Sequence, residues 1–428
     1  MFDLFTYRGT TERMFRALQK RLQQDNVLRT IYKEQMLNHV VKVQVELAPT
    51  TEISTGVFYL PHHAVKKERR GKIKWRIVLD ASSSEGHSPS WNDVLEMGCN
   101  QLPEVLATLL RFRGHNVAII GDIQQAFLQL SLDRRNRDLT RFLWYRISQD
   151  EEGNCYTTNE VFTYSFTRLP FGLTCSPLLL SATVRELVTM CKEEYPKAAH
   201  LIAGNMFMDD FVAGADDGNG AISIYYDLSA LIKTIKLPMA KWATSCHELK
   251  EIWKAEGQEI QRTTQDLGVD WNTEADTLSM DPRDILYKTT QRPATKRQLL
   301  QTPARFYDTL GLFSPVSAIA KILFQETWWR GMQWEEILPH DIAARWHAWI
   351  TSLHLLADID VPGWMGTGKD HDTQIHVFCD ASERAYGAAV YFRSSTREGV
   401  IVRLDCSENR LAAVRKITLP VWSSSPRL

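Results

Sequence analysis

The chain has 428 residues, 44% of them hydrophobic and 24% charged, and a formal net charge of −1. That length supports a large core and roughly two to four structural units, while the near-neutral balance excludes polyanion binding through overall charge, so any such surface needs local segregation of charge. Seven scattered cysteines (Cys99, Cys155, Cys175, Cys191, Cys246, Cys379, Cys406) never form Cys-x-x-Cys, which excludes a zinc ribbon or disulfide scaffold and points to reduced thiols inside a cell.

No signal-peptide pattern opens the sequence, and no apolar stretch reaches the length of a membrane span. Residues 1–50 read as helical, because Phe15, Leu18, Leu22 and then Leu28, Ile31, Tyr32, Met36 recur at three- and four-residue steps. Residues 57–60 read as a strand closed by Pro61. From Lys66 to Arg76 there are seven basic residues against one Glu, with Gly71 near the middle and an apolar run beyond. This predicts a basic hairpin, either a solvated loop or, given the interleaved Trp75, a polyanion contact.

Residues 101–113 carry helical spacing, and residues 116–122 form an apolar run ended by Asp122, the pattern of a strand buried on both faces. An Asp at the end of such a strand needs a partner or a metal. The next segment, 123–128, can begin either a helix or a strand. Around Thr167–Pro177 the sequence predicts a strand, a Pro/Gly turn and a helix over 178–195 with Ser176 as cap and Pro177 at its first position. Met206 to Val212 places Asp209 and Asp210 between two short apolar runs, which predicts a hairpin with the Asp pair at its turn. A helix follows over 222–235, strand pieces at 267–271 and 278–280, helices through 295–355 broken at Gly311 and Ser314-Pro315, and a strand at 375–380.

A lone Asp-Asp is ordinarily a solvated turn, but two adjacent carboxylates repel and call for a cation. Asp122 lies 87 residues upstream (209 − 122), and a central sheet can bring it beside them. Three carboxylates on one sheet edge suit Mg²⁺, which prefers hard oxygen ligands and takes one or two protein carboxylates plus phosphates. Two such ions about 4 Å apart serve phosphoryl transfer.

These residues also resemble a family. Phe207-Met208-Asp209-Asp210 is similar to the Tyr-x-Asp-Asp box of reverse transcriptases, with Phe for Tyr; Gly121 to Phe127 resembles their first catalytic-Asp segment, and Arg168 to Leu173 with Ser176-Pro177 their template-side turn and helix. Tyr59 to Val65, Arg76 to Ser82 and Lys241-Trp242-Ala243 narrow the resemblance to the BEL/Pao class of long-terminal-repeat retrotransposons, over about residues 20–420. The resemblance implies an α+β, right-hand polymerase fold of fingers, palm and thumb, with a truncated ribonuclease H-like α/β segment at the C-terminus. Its implied domains are a helical segment 1–50, fingers and palm 51–240, palm end and primer grip 241–290, thumb and connection 291–368, and the ribonuclease H-like segment 369–428.

Carried over, Asp122, Asp209 and Asp210 are the catalytic residues and, with the carbonyl of Ile123, the ligands of two Mg²⁺ ions, Mn²⁺ being the alternative. Lys72, Lys74 and Arg76 meet the dNTP phosphates, Phe127 lies under the sugar, and Lys241 meets the leaving pyrophosphate. Locally, Phe127 reads equally as core and Lys241 as an ordinary exposed lysine. Pro170, Phe171, Gly172, Met208, Leu267, Gly268 and Trp271 fall on the template–primer side, Trp271 being readable as core. The implied function is RNA- and DNA-directed DNA synthesis on a primed RNA or DNA template, in a cytoplasmic element particle with nuclear access, without membrane, and with self-association or polyprotein partners. The alternative is an inactive element remnant that at most binds nucleic acid.

Phe378 to Ser382 with Ala385 to Ala389 resembles the opening strands of a ribonuclease H, Asp380 being its first metal ligand. Lys416 to Pro420 resembles the lead-in to the next catalytic Glu, but Val421-Trp422 stand where that Glu belongs. An inactive, truncated ribonuclease H with exposed apolar strands is therefore expected. Asp276-Thr277-Leu278 and Asp308-Thr309-Leu310 lack the Gly of an aspartic protease triplet, so no protease is expected.

Overall fold

The computed structural model describes residues 7–49, 56–69, 72–84, 86, 88–150, 152, 155–266 and 269–413. They divide into two compact units that interleave in sequence: residues 1–102 with 124–187, and residues 103–123 with 188–428.

In the first unit, helices Arg8–Gln24 and Asn26–Val41 take up the amphipathic N-terminal stretch. Asp25 separates them, its carboxylate accepting from the Leu28 amide at 2.9 Å as an N-cap. A three-stranded antiparallel sheet runs Val45–Leu47, Cys155–Phe166, Arg141–Gln149. The basic stretch forms the expected hairpin, His62–Arg69 against Lys72–Leu79. Residues 57–61 do not become a strand of a sheet. Their extended backbone makes one isolated bridge, Tyr59 to Arg141. The strand Arg141–Gln149 was not legible in the sequence, because its polar Arg146, Ser148 and Gln149 break the apolar alternation.

The core of this unit is aromatic. Tyr32 stacks on Trp144, with ring centroids 5.1 Å apart, and Phe15 and Phe142 close around His62. His62 is buried with both ring nitrogens engaged, one by the Tyr32 hydroxyl and one by the Leu143 carbonyl at 2.8 Å. Burial lowers its pKa to about 4.

The second unit is built on a four-stranded antiparallel sheet in the order Met206–Phe207, Asp210–Ala215, Val117–Ile123, Met239–Thr244. Both faces are covered, which explains why residues 117–120 read as an unbroken apolar run. On one face Val117, Ile119 and Trp242 pack with Tyr225, Leu249 and Trp253, carried by helices Gly218–Ile235 and His247–Ala255. On the other, Ala118, Ile120 and Val212 join a larger core with Trp271, Leu299, Leu323, Trp346 and Trp349. That core is supplied by helix Val105–Arg113, which begins four residues later than the sequence suggested, and by helices Lys296–Gln301, Ser314–Trp329 and His340–Ser352. Among the described residues, no helix is long and apolar enough to cross a membrane.

A last antiparallel sheet, Asp372–Ala381, Ala385–Thr396, Gly399–Leu411, is anchored through its third strand. There the Ser407 amide donates to the Leu310 carbonyl at 2.8 Å. Gly311 has φ +68, and a Cβ there would lie 1.7 Å from the Ser407 oxygen, so only glycine fits. Arg113, fully buried, donates to the carbonyls of Gly363, Pro362, Leu404 and Asp405, tying the helix beside the central sheet to this strand. The first strand leaves Ile375, Val377 and Phe378 more than half exposed, as the sequence predicted for this segment.

His62 generates a pH prediction. Its ordinary pKa of 6.5 is lowered to about 4 in the fold, so the unfolded chain takes up the proton first. The stability that depends on neutral His62 is complete above pH 6.5 and is lost as pH falls toward 4, by up to about 3 kcal/mol. Urea midpoints of the wild type should fall over that window more steeply than those of His62→Gln; parallel slopes would refute the assignment.

Candidate active site

The hairpin Met206–Phe207 and Asp210–Ala215 pairs Phe207 with Asp210, leaving Met208 and Asp209 as its two turn residues. The sequence expectation that both Asp sit at the turn is thus corrected: Asp210 is the first residue of a strand. Met208 has φ +55 and Asp209 is not left-handed, the pattern of a type II′ turn, whose first central position normally belongs to glycine. A side chain at such a position stores strain that the surrounding structure must impose.

The strand Asp210–Ala215 then runs antiparallel to Val117–Ile123, with Asp210 directly opposite Asp122. Residues opposite each other point to the same face with Cβ atoms about 4.5–5.5 Å apart. The turn is fastened to the same strand by the Ile123 amide, which donates to the Asp209 carbonyl at 2.8 Å. Two backbone registrations therefore fix three carboxylate-bearing residues around one strand end.

On the other side of Val117–Ile123, Met239–Thr244 pairs with a slip: Ile120 faces Ala243, whereas Asp122 faces Ala240. Lys241 and Trp242 thus oppose the single residue Gly121, which is a β-bulge, and Lys241 takes φ +52. Gly121 is needed because a Cβ there would lie 2.6 Å from Met239 Cε and 2.9 Å from Trp242 Cζ3. The bulge directs the Lys241 ammonium onto Oδ2 of Asp122. Asp122 keeps 22% of its side chain exposed and Lys241 54%, so the pair stands at the surface end of an otherwise buried strand.

The donor set is all oxygen and anionic, which suits a hard divalent cation. Among the described residues, no group of three His, Cys, Asp or Glu side chains stands ready-made as a metal cage. Magnesium does not need one: it is held by one or two carboxylates together with waters and substrate phosphates. The carboxylates fit that mode of binding, and Asp122 is here paired with Lys241.

The remaining predicted residues are divided between the two units. Lys74 and Arg76 are exposed on the strand Lys72–Leu79; for Lys72 only the backbone, in that strand, is described. Phe127 is buried edge-to-face against Phe171, centroids 4.9 Å apart, while Phe171 itself is largely exposed. Pro170 is buried and its carbonyl accepts from the Ser176 hydroxyl at 3.0 Å, so Ser176 ties the helix Ser176–Met190 to the turn. Gly172 has φ +95, and a Cβ would meet the Leu79 oxygen at 2.5 Å. Leu267 and Gly268 lie outside the described residues. Of its two readings, Trp271 takes the core one: it is 2% exposed, edge-to-face with Phe112, and its indole N–H donates to Asp276 at 2.9 Å. Asp380 is exposed on Asp372–Ala381, where its carboxylate accepts from the Ala381 amide. Gly121 and the bulge were missed in the sequence; their signal was the single glycine interrupting the run at 117–123.

Comparison with solved structures defines the fold. The chain is similar to a foamy viral protease-reverse transcriptase in complex with double-stranded DNA, with TM-score 0.54, 14% identity, and coverage of 87% of this chain and 54% of that one. A foamy viral protease-reverse transcriptase with RNA/DNA hybrid gives TM-score 0.52 at 13% identity, covering 90% of this chain and 43% of that one. A third, with double-stranded DNA, gives 0.54 at 14%, covering 89% and 66%. The chain spans about half the length of the first of these structures. The fold is that of a reverse transcriptase. Residues 85–268 match the reverse transcriptase (RNA-dependent DNA polymerase) family, and residues 295–422 match the Pao retrotransposon-like RNaseH-like domain. No curated protein matches the chain. The two matches in this order support a reverse transcriptase region of a BEL/Pao-class retrotransposon, followed by a ribonuclease H-like start.

Gly121→Ala should lower the unfolding free energy by about 1–3 kcal/mol through overpacking against Trp242. Gly204→Ala, with nothing within 4 Å of the new Cβ, should be neutral or stabilising by up to about 1 kcal/mol in its helix. Denaturant midpoints of the two variants decide this; equal effects would show that Gly121 is not sterically required.

Proposed function

We propose that this chain is an RNA- and DNA-directed DNA polymerase that extends a primer 3′-hydroxyl with dNTPs. The observation that carries the reading is the registration of Asp122 opposite Asp210, with the Asp209 carbonyl bonded to the Ile123 amide. In this reading the Asp122 and Asp209 carboxylates, with the Ile123 carbonyl, hold two divalent ions, Mg²⁺ or Mn²⁺, and Asp210 is the third, less direct carboxylate. When bound, those ions neutralise charge on the reacting phosphate and activate the attacking oxygen.

The other roles belong to the chain itself. Exposed Lys74 and Arg76 offer donors for phosphate oxygens, Arg76 by its planar fork, and Lys72 shares their strand. Phe127, held by Phe171, is the bulky group under the sugar that disfavours a 2′-hydroxyl. Exposed Phe171 and Gly172 meet the template, buried Pro170 shapes the turn that presents them, and the turn at Met208 positions the primer end. Contacts of this kind, mostly to phosphates, are independent of sequence and sensitive to salt. Most of the rate comes from positioning and charge neutralisation.

Primer extension on poly-rA with Mg²⁺ tests the reading. The wild type should incorporate dTTP, and Asp122→Asn and Asp209→Asn should each lose about 10³-fold, the several kcal/mol that metal ions contribute to such steps. Salt-sensitive template binding without incorporation by the wild type would instead leave a nucleic-acid-binding remnant.

A further inference from the structure

Lys241 occupies an unusual position for an exposed lysine. Its ammonium contacts Oδ2 of Asp122 directly, although its flexible side chain is 54% exposed and could extend into water. Its backbone is held left-handed at φ +52 within the bulge opposite Gly121, a conformation unfavourable for any residue with a Cβ. The bulge is braced by buried Trp242, packed between Tyr225 and Trp253 at centroid distances of 5.3 and 5.7 Å. The placement of this cation is therefore built into the sheet. Among the described residues, Lys241 is the cation paired with Asp122.

The ammonium contacts only Oδ2 of Asp122, but a divalent ion on either oxygen of the same carboxylate stands within a few ångströms of that positive charge, and the two cations repel. We propose that Lys241 is a competitor for the metal at Asp122: it neutralises the carboxylate while the metal is absent and must leave it when a divalent ion binds. This rests on the reading of Asp122 as a metal ligand. The consequence is a metal site kept weak in the nucleotide-free protein. An arriving polyphosphate gives the displaced ammonium another partner, so metal and nucleotide bind with positive coupling. Lys241 thus acts as a positioning residue that sets when the ion is taken up.

Mn²⁺ titration of the nucleotide-free full chain, read by the electron paramagnetic resonance of free Mn²⁺, tests this without any turnover. Lys241→Gln should bind Mn²⁺ about fivefold more tightly than wild type, roughly what one part-exposed ion pair is worth. Lys241→Arg, which restores a cation, should return toward wild type. Asp122→Asn/Lys241→Gln should lose the gain. Adding a non-hydrolysable dNTP analogue should tighten Mn²⁺ binding more in wild type than in Lys241→Gln. Equal affinity of wild type and Lys241→Gln, with Asp122→Asn weaker than both, would overturn the competitor role and leave the metal site standing. Affinities unchanged by Asp122→Asn in either background would overturn the metal-site reading and the competitor role with it.

Discussion

The site depends on an electrostatic conflict imposed by backbone pairing. Antiparallel register places Asp210 opposite Asp122, and the hairpin turn adds Asp209 beside them. Like charges directly opposite on a sheet destabilise it, and two features offset this: the strand that carries Asp122 is packed on both faces, and a cation stands at its end. The buried residues from Val117 to Gly121 supply the first condition and Lys241 the second. A sheet edge with this much negative charge is a place to which a hard cation and a phosphate are drawn together.

Three local distortions make that edge. The left-handed Met208 turns the hairpin within two residues, the bulge at Lys241 aims its ammonium, and Gly121 makes room for Trp242. Each is a departure from regular β structure: the bulge and Gly121 lie against the aromatic group around Trp242, and the turn is tied down by the Ile123 amide on the Asp209 carbonyl. Arg113 extends the same support outward, its guanidinium shared among four carbonyls from the loop at Gly363 and the strand at Asp405. Burial lowers the Arg113 pKa, but Asp405 opposite it favours the charge.

Much of this was legible in the sequence because the relevant signals are local. A four-residue apolar run, punctuated by Gly121 and ended by Asp122, identified a doubly covered strand, and a carboxylate pair between short apolar runs identified the hairpin. Register is a tertiary property, and the sequence could not show that Asp210 rather than Asp209 faces Asp122, nor that the strand bearing Lys241 slips by one residue. Trp271 shows the opposite failure: a tryptophan in a strand motif reads equally as surface or core, and only its bond to Asp276 and contact with Phe112 decide for the core. The interleaving of the two units was also hidden, since residues 103–123 leave the neighbours on either side in the chain to join residues 188–428.

The central claim, that these carboxylates form one cation site, is tested most directly by anomalous diffraction from crystals grown with Mn²⁺, a primed template and a non-hydrolysable dNTP. The account predicts a Mn²⁺ peak bonded to carboxylate oxygens of both Asp122 and Asp209, with the Lys241 ammonium no longer on Asp122. Ordered nucleotide with no Mn²⁺ peak at Asp122 and Asp209, or with Lys241 still bonded to Asp122, would contradict it.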